Sequence, residues 1–312
     1  MKTPIGRLAP SPTGVLHLGN ARSFLLAWLD IRARNGHLLM RIEDLDGPRI
    51  RAGAEQAALE DLRWMGLDWD GDILRQSERL PVYRSALDQL LASKRAYSCI
   101  CSRKDVELAA SAPHAGEEGT LYPGTCVGRY ENFAAAVAAS PAARQPNVRF
   151  QCAAGDTTFE DRFHGVTTYN VAEQLGDFVI WKRAQEAAYQ LAVVVDDAAS
   201  GVTEVLRGND LLSSAARQLQ LYAALDLAAP TFAHVPLILG ADGRRLAKRH
   251  GDTSLRTLRE QGLEAQQLIG WLAWQSGLQD SPAACTAQQL AAAFDLAQVP
   301  EAPVIWRGSF SA

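Results

Sequence analysis

Arg7-Leu8-Ala9-Pro10-Ser11-Pro12-Thr13-Gly14-Val15-Leu16-His17-Leu18-Gly19-Asn20 is the stretch whose reading decides the fold. Ile5 to Ala9 reads as a short strand. Pro10 and Pro12, followed by Gly14, bar a helix interior and make this segment a turn. From Gly19 the apolar residues Ala21, Phe24, Leu25, Trp28 and Ile31 recur at helical spacing, and Asn35-Gly36 is a helix-ending pair. Leu38 to Ile42 is a second strand. Strand, turn, helix, strand is a βαβ unit, the opening of a parallel sheet.

Working outward, residues 52–66 and Leu80 to Lys94 read as helices. At Tyr97 the texture changes: residues 97–130 are rich in Cys, Gly, Pro and Tyr, and 134–143 are mostly alanine. Arg149-Phe150, Phe159 to Asp161 and Val166 fit short strands of an insertion. Leu191 to Asp197 reads as a buried parallel strand ending in two acids, and Val202 to Arg207 as another. Leu211 to Leu225 reads as a helix. Residues 251–278 form a helical tail with Trp271 and Trp274. The expected fold is α/β: a Rossmann-type doubly wound parallel sheet split by a zinc-bearing insertion and followed by a small helical domain. The expected boundaries are 1–96 and 190–243 for the two halves of the Rossmann-type domain, 97–189 for the insertion and 244–312 for the tail.

The bulk properties suit an ordinary soluble globular protein, long enough for two compact domains or for one domain with a large insertion. The chain has 312 residues, 47% hydrophobic and 21% charged, with a formal net charge of -4. That charge argues against nonspecific DNA binding but leaves room for a local RNA-binding face. No apolar run is long enough to span a bilayer, and Met1-Lys2-Thr3-Pro4 leads into no secretory apolar region, so a cytoplasmic location is expected. Five cysteines, an odd number, point to thiols or a metal site rather than a disulfide framework.

Two segments carry phosphate chemistry. His17-Leu18-Gly19-Asn20 lies where the turn meets the first helix. Free N–H groups and partial positive charge at a helix start suit a triphosphate, and a histidine there can donate to a phosphate oxygen. Arg244-Arg245-Leu246-Ala247-Lys248-Arg249 is a loop with four cations in six residues. Such a loop can close over a polyphosphate. Taken singly, each is also a capped surface helix or a solvated turn.

Together the two segments resemble the HIGH and KMSKS signatures of class I aminoacyl-tRNA synthetases. The Arg7–Gly19 stretch, Arg41-Ile42-Glu43-Asp44-Leu45-Asp46 and Leu191 to Asp197 resemble the glutamyl and glutaminyl branch. The resemblance covers nearly the whole chain in order. Asn20 stands in place of the final His of the first signature. Arg245 and Ala247 stand at the first Lys and the Ser of the second, where Lys248 matches the second Lys. The resemblance implies activation of L-glutamate with ATP and Mg²⁺, with His17 and Lys248 catalytic and His17, Gly19, Asn20, Arg245 and Lys248 on ATP. It places Arg7, Ser11, Glu43, Tyr189 and Arg207 on the amino acid. The chemistry agrees: glutamate offers two carboxylates, which arginine forks read bidentately, and one ammonium, which Glu43 can hold.

Cys99-Ile100-Cys101 and the later Cys126 supply three legs of a tetrahedral zinc site. His114 and Tyr122 are both open as the fourth; the resemblance points to Tyr122 and to a structural zinc. The further C-terminal anticodon-binding region that the resemblance implies for enzymes charging tRNA(Glu) is not expected within this length. That matches the truncated relatives, the glutamyl-queuosine tRNA(Asp) synthetases, and implies queuosine-containing tRNA(Asp) as acceptor, with no DNA and no membrane partner. The alternatives are a minimal enzyme charging tRNA(Glu), a silent RNA-binding paralogue, and an unrelated nucleotidyltransferase of the same fold.

Overall fold

A computed structural model describes residues 3–45, 47–109, 121–246 and 253–310. Strand β1 (Ile5–Leu8) enters the proline turn, helix α1 (Leu18–Arg32) follows, and β2 (His37–Ile42) returns parallel to β1. Asn35, left-handed at φ 52°, closes the turn between α1 and β2. Helix α2 (Ala54–Trp64) carries the chain to β3 (Ile73–Arg75), parallel to β2. The βαβ opening and its helix are where the hydrophobic spacing puts them.

After α3 (Leu80–Ala92) come β4 (Ala96–Cys99), α4 (Arg103–Ala109), α5 (Phe133–Ala139), β5 (Asn147–Phe150), β6 (Asp156–Asp161), β7 (Gly165–Asn170), α6 (Val171–Gln174) and β8 (Phe178–Trp181). Strands β4, β5 and β8 form a small antiparallel sheet. The alanine-rich stretch is helical in part, capped by the Asn132 side chain.

The run Leu191–Asp197 is not a strand. It lies inside helix α7 (Tyr189–Ala199), whose first residue is Tyr189. Every residue from Leu191 to Asp197 is buried, so the apolar pattern is continuous on all sides. A continuous run of that length carries neither the helical nor the strand period. Strand β9 (Glu204–Gly208), helix α8 (Leu212–Ala224) and strand β10 (Thr231–Val235) then complete a second parallel unit.

The main sheet is built from two of the strand groups, β3-β2-β1 and β9-β10-β6-β7. They abut where Thr203 N–H donates to the Ile5 carbonyl at 2.8 Å and Ile5 N–H donates to Thr203 Oγ1 at 2.9 Å. The hairpin β6–β7 thus joins the edge of the main sheet, at Phe232 opposite Asp161. Successive strand residues face two different cores. Leu206 and Ala233 pack with α1, whereas Val205 and Phe232 pack with α7 and α8. Helices therefore cover both faces of the parallel sheet.

Strand β11 (Ile238–Gly240), α9 (Leu255–Glu260), α10 (Ala265–Gln275), α11 (Ala287–Ala291) and β12 (Val304–Trp306) end the fold. The tail is not purely helical: β12 pairs parallel with β11, and Trp271 and Trp306 share the core of α1. Among the described residues no helix is long and apolar enough to cross a membrane.

Candidate active site

A cleft of about 500 Å³ opens at the carboxyl ends of β1, β2 and β9. Its lining includes Arg7, His17, Gly19, Asn20, Glu43, Tyr189, Arg207 and Arg245. Residues more than 200 positions apart in sequence meet here because parallel strands end on one side of the sheet. Ser11 is the exception. It is exposed, donates to the Glu43 carbonyl at 3.1 Å and lines a neighbouring 320 Å³ recess that shares His17 and Asn20 with the cleft. Lys248 lies outside the described residues, as does His114.

His17 caps α1. Its Nδ1 accepts from Gly19 N–H at 3.1 Å, while its backbone N–H donates to Asn20 Oδ1 at 3.1 Å. Burial lowers its pKa, so the ring is neutral and carries its proton on Nε2. Leu18 N–H is taken by the Thr253 carbonyl at 3.1 Å. The helix start is thus less open than its sequence suggests, and the imidazole edge becomes the donor. Arg245, two-thirds exposed, pairs with Asp210 at 2.8 Å. Leu255 N–H donates to the Leu16 carbonyl at 2.8 Å. Both described ends of the basic loop are therefore tied to the cleft.

The floor is a charge cluster. Asp197 of α7 lies 3.5 Å from Arg7 Nε and accepts a short bond from Arg41 NH1. Arg41 NH2 donates to Glu43 Oε1 at 3.0 Å. Burial pushes the Asp197 carboxyl up, but the Arg41 and Arg7 charges outweigh it and hold it below its usual range. Arg7 Nε is buried without a hydrogen-bond partner.

Arg207 sits across the cleft and is differently held. Its Nε donates to His234 Nε2 at 2.9 Å and its NH2 to Gln218 Oε1 at 2.9 Å. His234 Nδ1 is 2.6 Å from Asp161 Oδ2. Arg207 NH1 is buried and unpartnered. Burial lowers the Arg207 pKa, yet a guanidinium stays charged. Two buried guanidinium groups, that of Arg207 with NH1 unpartnered, therefore line one cleft with a half-buried carboxylate, Glu43.

Cys99, Cys101 and Cys126 bring their sulfurs within 4.8 Å of one another. A tetrahedral zinc with Zn–S near 2.3 Å needs sulfurs about 3.8 Å apart; Cys101 and Cys126 stand at 3.5 Å. The Tyr122 hydroxyl is 3.4 Å from Cys99 Sγ and 3.8 Å from Cys101 Sγ. Burial and neighbouring Cys99 push the Cys101 thiol up to about 12. A cation is what would let these ligands ionise together, and the donor set fits one.

A family model described as tRNA synthetases class I (E and Q), catalytic domain, matches residues 5–306. The chain belongs to this family. It is 47% identical to a protein named Glutamyl-Q tRNA(Asp) synthetase from Rhodopirellula baltica, over 98% of this chain and 97% of that one. A protein of the same name from Symbiobacterium thermophilum is 46% identical over 96% and 94%. A Glutamate--tRNA ligase from Geobacter sulfurreducens is 41% identical over 85% of this chain but 55% of its own length. Among solved structures, a glutamate tRNA ligase from Elizabethkingia meningosepticum in complex with its amino acid superposes with a TM-score of 0.81 at 27% identity, over 97% of this chain and 67% of that one.

For a class I synthetase chain the cleft is the expected place for chemistry, and some of its parts escape a reading of sequence. Asp197, Arg41 and the Asp161–His234 pair are distant from their partners along the chain. A histidine inside the apolar strand Thr231–Val235 was the one available signal for the last of these. Gly208 is a further part: a Cβ there would meet Asp210 Oδ1 at 2.6 Å and Leu237 Cδ2 at 2.7 Å.

Proposed function

We propose that the chain activates L-glutamate with ATP and transfers the glutamyl group to the queuosine base in the anticodon of tRNA(Asp). The observation that carries the activation step is the pair of buried guanidinium groups, Arg7 and Arg207, lining one cleft, with Arg207 NH1 unpartnered. A dicarboxylate supplies the missing acceptors, and Glu43 takes the ammonium. Tyr189, buried enough that its phenol pKa is raised, stays a neutral donor beside them. A glutamine side chain would leave one guanidinium without a countercharge, which favours glutamate.

In the activation step an oxygen of the substrate α-carboxylate attacks the α-phosphorus of ATP. The bond to the β-phosphate oxygen breaks, giving glutamyl-adenylate and pyrophosphate. His17 offers its Nε2 proton as a hydrogen bond to phosphate oxygens, and Lys248 and Arg245 neutralise developing charge. Mg²⁺ bound to the polyphosphate lowers its charge. A hydroxyl of the queuosine cyclopentene-diol then attacks the mixed-anhydride carbonyl and AMP leaves. Cys99, Cys101, Cys126 and Tyr122 hold a structural zinc that fastens a segment with little apolar core of its own.

The acceptor assignment rests on the names of the relatives that match along almost their full length. The test is transfer of labelled glutamate, with ATP, to tRNA(Asp) with and without queuosine and to tRNA(Glu), each also lacking its 3′-terminal adenosine. Label on queuosine-containing tRNA(Asp) that persists without the terminal adenosine is the expected result. Label confined to intact tRNA(Glu) overturns the acceptor. Absence of glutamate-dependent pyrophosphate exchange overturns the activation step as well.

A further inference from the structure

Behind Arg207 lies a set of buried polar groups that activation chemistry does not call on. Asp161, at the end of β6, uses Oδ1 to accept the backbone N–H of Phe163 and His164 at 3.0 Å each and of His234 at 3.2 Å. Its Oδ2 is left for His234 Nδ1. His234 is fully buried, and its Nε2 receives Arg207 Nε–H. One tautomer satisfies both contacts: proton on Nδ1, lone pair on Nε2. On its other side Arg207 NH2 is fixed by Gln218. That amide donates to Gln190 Oε1 at 2.9 Å, and Gln190 donates to Ser214 at 3.0 Å. Two of the three guanidinium nitrogens are thus committed to the scaffold, and NH1 alone remains.

We infer that Asp161 and His234 are positioning residues that hold Arg207 in the single orientation that keeps NH1 for a substrate carboxylate, so that the hairpin β6–β7 takes part in amino-acid selection. The inference rests on the reading that Arg207 binds that carboxylate. The alternative role, a buried polar contact that only stabilises the sheet, makes a different prediction for the tautomer.

Asp161→Asn separates them. Three backbone donors keep the amide oxygen where Oδ1 stands, which turns the NH2 toward His234. The histidine must then accept at Nδ1 and carry its proton on Nε2, facing Arg207 Nε–H donor to donor. Imidazole ¹⁵N shifts should report Nδ1–H in the wild type and Nε2–H in the variant. In pyrophosphate exchange the glutamate KM should rise about tenfold or more, the scale of one lost hydrogen bond to a charged group. The ATP KM should stay unchanged. A flipped tautomer with unchanged glutamate KM overturns the proposal, as does a wild type already carrying Nε2–H. Should Asp161→Asn not fold, His234→Gln, which keeps an acceptor for Arg207, should retain a lower glutamate KM than His234→Leu; equal values overturn it. Arg207→Ala is the control. A wild-type glutamate KM in Arg207→Ala sinks the reading of Arg207, whereas a raised KM there with a normal one in Asp161→Asn sinks the relay alone.

Discussion

Arg7 and Arg207 read as equals in the sequence, but the protein holds them by different means. Arg7 leans on the charge of Asp197, which it shares with Arg41, whereas Arg207 leans on neutral acceptors. Arg7→Gln should therefore raise the glutamate KM about ten- to hundredfold, with less effect on ATP, as one charged hydrogen-bonding partner is lost; exchange kinetics check it. Asp197→Ala should act on stability instead. It strands two buried cations, and removal of one partner of a buried pair costs about 3–5 kcal/mol; urea unfolding measures it. His234 makes a pH prediction. Burial lowers its pKa from 6.5 to about 4, so the unfolded chain binds its proton more readily than the folded one. Stability should then fall as pH drops from 6.5 toward 4, by roughly 3 kcal/mol at the lower end. His234→Gln should flatten that slope in equilibrium unfolding at stepped pH. What the sequence disclosed at this scale was residue type. Arg7, Glu43 and Arg207 sit beside recognisable motifs, but Asp197 and His234 act on partners 190 and 27 positions away, and no local pattern encodes such a pairing.

At the scale of elements, α1 and α7 show what periodicity can and cannot reveal. Helix α1 has a turn before it, a cap at His17 and a left-handed closing residue, so its ends are written in the sequence. Helix α7 has no capping side chain and is buried on every side among residues 191–197, so its apolar run reads equally as strand. The difference matters for the site. In a strand, Asp196 and Asp197 would face opposite ways, whereas in a helix they diverge by about 100°. Asp197 meets Arg7 and Arg41, and Asp196 receives Gln76, Arg79 and Tyr83 at 2.6–2.8 Å. The start of α1 gives a direct test. A Cβ at Gly19 would lie 3.0 Å from His17 Cε1 and 3.1 Å from its Nδ1. Gly19→Ala should displace the imidazole. We expect adenylate formation to slow by about tenfold or more, since small misplacements are costly in positioned catalysis, with a smaller change in glutamate KM. Single-turnover and steady-state exchange distinguish the two effects. An unchanged rate constant would mean that the His17 edge is not the donor.

For the whole molecule, the arrangement of cores sets what can fail alone. One large core joins α1, the first strands and the C-terminal elements; the other joins α3, α7, α8 and the small antiparallel sheet. Among the described residues, Cys99, Val106, Tyr122 and Cys126 form the small buried apolar cluster of the segment carrying the cysteines. Polar contacts tie it to the rest, with Phe133 packed on the second core. Arg183 donates to the Ile100 and Cys101 carbonyls at 2.5 and 2.9 Å, and Tyr97 donates to Asp177 at 2.6 Å. Chain texture made this legible, because a stretch so poor in apolar residues needs a clip. The pairing of β6 with β10 was not, since a single register contact joins strands 71 residues apart. Under the proposed zinc assignment, a chelator, or Cys126→Ser, should release the cysteine segment without opening the cleft, whose walls belong to the large cores. Proteolysis should become faster between residues 97 and 146, while the glutamate KM and the exchange rate stay near the wild-type values. If exchange is lost in step with the metal, the cysteine segment is not an independent unit. The same chelated protein, assayed for transfer to tRNA, then tells whether the clip serves the acceptor: transfer should fall while exchange persists, because a segment freed from its metal pays the cost of ordering whenever it must hold RNA.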